Sequence, residues 1–427
     1  MKEIRDVVLL KKVTIIDPNS KYHKKKLDIL IEKGTIKEIA NSIKEPFGAE
    51  VIDRKNAHCS PGWFDMHVNV QDPGYEYKED IDSALEAASS GGFTGILSCS
   101  TTIPPIDNKS SVQYQIKKSQ GQVCDLFVSG AVSKGNEGKE LAELYDMHLA
   151  GAKAFTDFKS NIDNSQLLNL AMQYIKPFNG LLMIQPNETY LSAGTVMNEG
   201  LVSTENGLKG LPSIAEEMGV QRALKLLDYT EHRLHFNALS TKESVDLVKK
   251  AKQQGKRITT GVNAINLLLT DEVLIKFDSN FKLNPPLRDE RARKALIKGI
   301  ISGTIDVIVS DHWPQNVENK DCEFEQAAFG MSSIESNYAI INTALKDEIE
   351  EEVLVGILAI NPREILGIDI PVIEKGQKAN MSIYQPDEKY TFNLEKSKSK
   401  SRNSSMSQYD LKGYVIGTIN NDAYYLN

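Results

Sequence analysis

Residues 65–74 read DMHVNVQDPG. His67 and Asn69 stand two apart, and side chains two apart on a β-strand share a face. A pair of imidazoles at that spacing could hold a metal ion together. Here the second place carries an amide, which is a weak zinc ligand. The chain has seven histidines (His23, His58, His67, His148, His232, His235 and His312), and none lies between 148 and 232. Strand alternation sets His235 opposite Ala238, toward outer helices, and sets His312 opposite Asp311. His148 and His232 fall on helix or turn patterns and are expected at the surface.

The elements that must position these groups alternate along the middle of the chain. Apolar or β-branched runs bounded by turns give strands at FDMHVNV, FTGILSCS, CDLFVSGAVS, GAKAFTD, GLLMIQP, RLHFNALS, RITTGVNA and IDVIVSDHW. Helical patterns between them, such as DIDSALEAASSGG and TKESVDLVKKAKQQG, start on capping residues and end near glycine. Eight strands, each followed by a helix, predict an α/β fold with a (β/α)8 barrel over residues 55–370, whose site lies at the strands' C-terminal ends. SSIESNYAIINTALKD and EEVLVGILAINPREIL predict two more helices after the eighth strand. The ends differ: residues 1–54 and 371–427 hold short alternating strands, including KYTFNL, and are expected to pack as one small β-sandwich domain. KSKSKSRNSSMSQ at 396–408 is low in complexity and is expected to form a mobile but ordered loop, whose cations either bind an acidic partner or, as charge runs more often do, form a solvated surface.

Bulk properties narrow the function. Fifty Lys and Arg against 58 Asp and Glu give a net charge of −8, which argues against nucleic acid or an anionic membrane as the main partner. No apolar run reaches the ~20 residues of a membrane span, and the start of the chain lacks a signal-peptide pattern. Cys59, Cys99, Cys124 and Cys322 are far apart and suggest neither a disulfide framework nor a thiolate metal site. A cytoplasmic protein is expected.

Longer motifs carry a resemblance. SPGWFDMHVNVQDPGYEYKEDI, GGFTGILSCSTTIPPIDN, NEGLVSTENGLKGLPSIAEE, NPPLRDERARKALIKGIISGTIDVIVSDHWPQ and the closing SKSRNSS, in that order, resemble the dihydroorotases of the amidohydrolase superfamily, in the branch related to allantoinase and dihydropyrimidinase. The resemblance spans nearly the whole chain. It implies a cyclic-amide hydrolase with one or two metals, usually zinc, held by an HxH, a carboxylated lysine or acid, two further histidines and an aspartate. Of those positions His67 and Asp311 match, Asp311 also being the proton-transfer position. Asn69, Gln185 and Ala238 stand where three histidine ligands are expected. Lys153 and Asp157 fall at the alternative positions of the bridging group. Among substrate positions Asn284 is kept, whereas Gln71 replaces an arginine, Thr101 lies in an altered Ser-Thr-Thr and Gln315 replaces a histidine.

Removing metal from such a barrel mouth leaves Asp65 and Asp311 as buried anions that need a counter-charge. The sequence reading assigns that role to Lys153 and His67, forming a polar cluster with Asp311. It therefore expects no cofactor, or at most one weakly held zinc ion. The functional expectation is a catalytically impaired dihydroorotase-like scaffold of pyrimidine biosynthesis. Homo-oligomers and an aspartate carbamoyltransferase partner are what the resemblance implies. The alternative is an active cyclic-amide hydrolase with a reduced site.

Overall fold

The structure, a computed structural model, describes residues 7–427; the first six residues of the expected N-terminal β segment lie outside it. Strands β1 (Val7–Ile15), β2 (Lys26–Glu32), β3 (Thr35–Ala40), β4 (Glu50–Asp53) and β5 (His58–Pro61) open the chain. Strands β6 (Trp63–Val68), β7 (Phe93–Ser98), β8 (Asp125–Gly130), β9 (Ala154–Phe155) and β10 (Leu182–Ile184) follow. A two-stranded pair, β11 (Met197–Asn198) and β12 (Gly210–Leu211), interrupts the series before β13 (Leu234–Phe236), β14 (Ile258–Asn263) and β15 (Val307–Val309). Strands β16 (Met381–Tyr390), β17 (Leu411–Asn420) and β18 (Ala423–Leu426) close it. KYTFNL makes no strand of its own: β16 runs into its tyrosine and the backbone then leaves the sheet.

Eight parallel strands run in the order β6-β7-β8-β9-β10-β13-β14-β15, the barrel that the alternating pattern predicts. A bridge between Val68 and His312 brings its two edges together, with the Asn69 amide N–H donating to the His312 carbonyl at 2.9 Å. Capping residues mark where the helices between the strands begin. Asp80, Thr241 and Asp289 accept backbone N–H bonds at the starts of the helices Ile81–Ser90, Lys242–Gln253 and Glu290–Ile301. Inside the barrel, Phe64, Leu97, Ala154, Met183, Val307 and Val309 meet from strands all round the ring, a core only an interior can assemble.

The terminal strands join in one sheet, β18-β17-β16-β5-β1-β2-β3, with β4 beside β1. That sheet takes in His58–Pro61, a few residues past the expected border at 54. Trp63 locks it to the barrel, stacking on Tyr338 at 4.6 Å and touching Tyr384 at 5.2 Å, while its indole N–H donates to the Ser60 hydroxyl. No helix among the described residues is long and apolar enough to cross a membrane.

Candidate functional site at the barrel mouth

Asp311 lies two residues past the end of β15 and sits in the left-handed region at φ 52°. Phe158 and Gln71, on the loops after β9 and β6, are left-handed too, at φ 56° and 58°. Non-glycine residues there cost on the order of 1–2 kcal/mol each and tend to cluster at functional sites. The conformation turns the Asp311 carboxylate toward β6, where His67 Nδ1 lies 2.9 Å from Oδ1. That contact is short but poorly aligned as a hydrogen bond, because both atoms lack a well-directed partner. We read it as a close electrostatic contact.

The stronger partner is a cation the sequence reading missed. Lys159 Nζ lies 3.0 Å from Asp311 Oδ1 and donates to Oδ2 at 3.1 Å, and the Asn263 amide donates to Oδ2 at 2.9 Å. Both side chains are closed off, Lys159 being 6% and Asp311 8% exposed. Burial raises the Asp311 carboxyl, but Lys159 and then His67 outweigh it and hold the group below its ordinary value. Burial, and secondarily Lys159, push the His67 imidazole down, so it is neutral near pH 7. The mouth is thus balanced by one ammonium against one carboxylate. Asp65, tucked beneath, accepts the backbone N–H groups of His67 at 3.0 Å and Ser310 at 2.9 Å, and burial raises it to about 6.

Lys153 takes no part in this cluster. It precedes β9 and lies near His148 of the helix Leu144–Ala150, at the opposite end of the strand from the mouth. Asp157, the other bridging candidate, is used structurally: it accepts the backbone N–H of Val132 at 2.7 Å and of Ser133 at 3.0 Å, as well as the Ser133 hydroxyl. Burial raises it to about 6. The three positions lacking histidine are tied down as well. Asn69 donates to the His312 carbonyl at 3.1 Å and accepts the Thr101 hydroxyl at 2.8 Å. The Gln185 amide donates to the Ala238 carbonyl at 2.9 Å, joining the fifth and sixth strand ends.

Among the substrate positions, Gln71 is buried and donates to the Pro314 carbonyl at 3.4 Å. Gln315 accepts the Lys78 ammonium at 3.0 Å and donates to the Phe329 carbonyl at 2.9 Å. Asn284, half-buried, lies on the loop between β14 and β15. The Phe158 ring covers the cluster, 4.6 Å from His67 and 5.2 Å from Trp313, with the Lys159 ammonium 5.0 Å over its face.

Two histidines depart from expectation: His232, expected at the surface, is buried and bonds the Gly180 carbonyl at 2.8 Å, and His235 faces inward, whereas His312 points away from Asp311 as alternation predicts. His235 is in register with Met183 and Thr259, so it shares the interior face with the barrel core and bonds the Thr259 hydroxyl at 2.8 Å. The strand ends at Phe236, so counting faces out to Ala238 crosses a loop. His312 accepts the Ser333 N–H at 3.1 Å and turns Nε2 toward Glu79, 3.5 Å away. Among the described residues, no group of three or more His, Cys, Asp or Glu side chains is placed to hold a metal ion.

Comparison with known proteins identifies the fold and then the family. The fold matches that of L-hydantoinase (dihydropyrimidinase) from Arthrobacter aurescens with a TM-score of 0.84 at 20% identity, covering 98% of this chain and 95% of that one. A family model described as dihydro-orotase-like matches residues 58–244. The dihydroorotase of Geobacter metallireducens is 35% identical over 407 residues, covering 95% of this chain and 96% of its own. That of Carboxydothermus hydrogenoformans is 38% identical over 398 residues, 92% of each. The chain belongs to the dihydroorotase family.

Proposed function

We propose that this chain is a dihydroorotase homologue that has lost cyclic-amide hydrolysis and acts as a cytoplasmic protein scaffold, for example toward aspartate carbamoyltransferase. Homo-oligomers are part of this reading. In this reading the barrel domain begins at Trp63 and runs to about residue 370, and the described terminal strands form the small β domain beside it.

One observation carries the proposal. The Lys159 ammonium stands against both oxygens of Asp311, the position a metal would need. The donor set does not fit a divalent pair. It offers one neutral imidazole and one carboxylate already neutralised, with amides at Asn69 and Gln185 engaged elsewhere. Family chemistry rests on a metal lowering the pKa of water from about 15.7 to about 7, worth roughly 12 kcal/mol. Nothing at this mouth replaces that. Asp311, held below its ordinary value, is also a weak proton acceptor near neutral pH.

A second reading, a hydrolase with at most one weakly held ion, is favoured by a single observation: His67 and Asp311 are both kept and stand 2.9 Å apart. Metal analysis of the purified protein and a dihydroorotate hydrolysis assay separate the two. The proposal expects substoichiometric metal and no turnover. Turnover that a chelator abolishes would establish the second reading. Co-purification of a carbamoyltransferase tests the scaffold role.

A further inference from the structure

The segment KSKSKSRNSS is anchored to the barrel by hydrogen bonds along its length. Its serines and asparagine turn inward: Ser397 donates to Glu335, Ser399 to Glu79 and Ser401 to the Lys78 carbonyl at 2.6 Å. Asn403 accepts the Gln315 N–H at 3.0 Å and donates to the Gly330 carbonyl at 3.1 Å, and Ser405 donates to Asp278. These anchors reach the loops after β6 and β15, so the strap lies across the sealed mouth. The residues between them, Lys396, Lys398, Lys400 and Arg402, are all exposed.

The result is a row of four cations in a chain of net charge −8, with no acidic residue between 396 and 408. Successive members are no more than ~7 Å apart along the chain. Lys398 is paired with Glu86 at 3.7 Å and Lys400 with Asp80, both partly exposed pairs of small worth. Lys396 and Arg402 form no ion pair among the described residues.

A groove of about 860 Å³ adjoins the strap, lined by Tyr390, Tyr414 and Tyr425 as well as Lys396 and Lys398. Arg54, Lys389, Lys396 and Lys398 are nearly balanced by Glu335, Glu388 and Glu395, so the tyrosines would receive apolar or aromatic side chains. We propose that the strap is a docking surface for an extended acidic segment of a partner protein, whose acidic side chains meet the cation row and whose apolar end enters the tyrosine groove.

Three features favour this occupant. The cation row is short and the rest of the chain is acidic, which disfavours a nucleic acid. The anchors fix the backbone before binding, so little conformational entropy is lost in the complex. Alternating exposure matches a chain that presents every second side chain. The inference is independent of the proposed loss of hydrolysis, since an active enzyme could carry the same strap.

The test is fluorescence anisotropy on the full chain. The probe is a fluorescein-labelled dodecapeptide of alternating Glu and Ser, with Tyr at one end. Binding is expected at low salt and should weaken as NaCl rises. Lys396→Ser with Arg402→Ser should weaken it about tenfold, with the thermal unfolding curve unchanged. Neither residue anchors the strap, so the variant should fold. No binding at low salt, equal binding by the variant, or equal affinity for a single-stranded oligonucleotide of the same charge would each overturn the proposal.

Discussion

Replacing Lys159 with methionine keeps most of the side chain's bulk and removes the ammonium that balances Asp311. A unit charge pair at about 4 Å attracts by about 4 kcal/mol at an effective dielectric of 20. Stripping one partner from a buried pair commonly costs about 3–5 kcal/mol, because the remaining charge stays desolvated. With both groups under a tenth exposed, Lys159→Met should lose about 3 kcal/mol of stability at pH 7. The pH dependence follows. In the native protein Asp311 has a depressed pKa, so its contribution is present above the unfolded value of ~3.9 and fades as pH falls below it. Without Lys159, burial dominates and the carboxyl moves above that value. The variant's deficit should therefore be full at neutral pH and shrink as pH approaches 4. Urea unfolding followed by the fluorescence of Trp63 and Trp313 measures it. Adding Asp311→Asn should return at least about 2 kcal/mol, since the anion that needed Lys159 is gone. A loss under about 1 kcal/mol, or one that adds independently to that of Asp311→Asn, would refute the charge-balance argument.

Restoring Asn69→His, Gln185→His and Ala238→His should create zinc binding only when Lys159→Ala is also present. Zinc-dependent thermal stabilisation checks this, and equal stabilisation with Lys159 intact would contradict it. His235, with its pKa pushed down by burial to about 3, stays neutral in the fold while the unfolded chain protonates near 6.5. Its contribution is present above that unfolded value and is lost as pH falls. His235→Gln should therefore spare about 2 kcal/mol of the stability lost between pH 7 and 5, read by urea unfolding at both pH values. Gly219 packs so closely that an added Cβ would lie 2.3 Å from the Asn187 backbone nitrogen. Gly219→Ala should thus cost about 1–3 kcal/mol, measured the same way.

The barrel was legible because strand and helix periods alternate and because capping residues such as Asp80, Thr241 and Asp289 sit where helices start. His67 and Asp311 were legible from their motifs. Lys159 was not, although TDFKS carries a usable signal. A lysine just past a barrel strand's C-terminal end stands at the mouth, whereas Lys153 precedes its strand and belongs to the other end. What hid it is the left-handed Phe158, which redirects the chain in a way no alternation rule anticipates. His235 was misjudged for a related reason, since alternation holds within β13 and not through the loop beyond Phe236. The strap's serines looked like low-complexity solvent-facing sequence; their anchoring depends on acceptors as distant in sequence as Glu79 and Lys78.

Anomalous X-ray diffraction from crystals soaked in zinc tests most directly the proposal that an internal ammonium takes the place of a metal. The account predicts no anomalous peak within bonding distance of His67 or Asp311, and a Lys159 side chain still seated on both carboxylate oxygens. One or two strong peaks at the mouth, with Lys159 swung away, would contradict it.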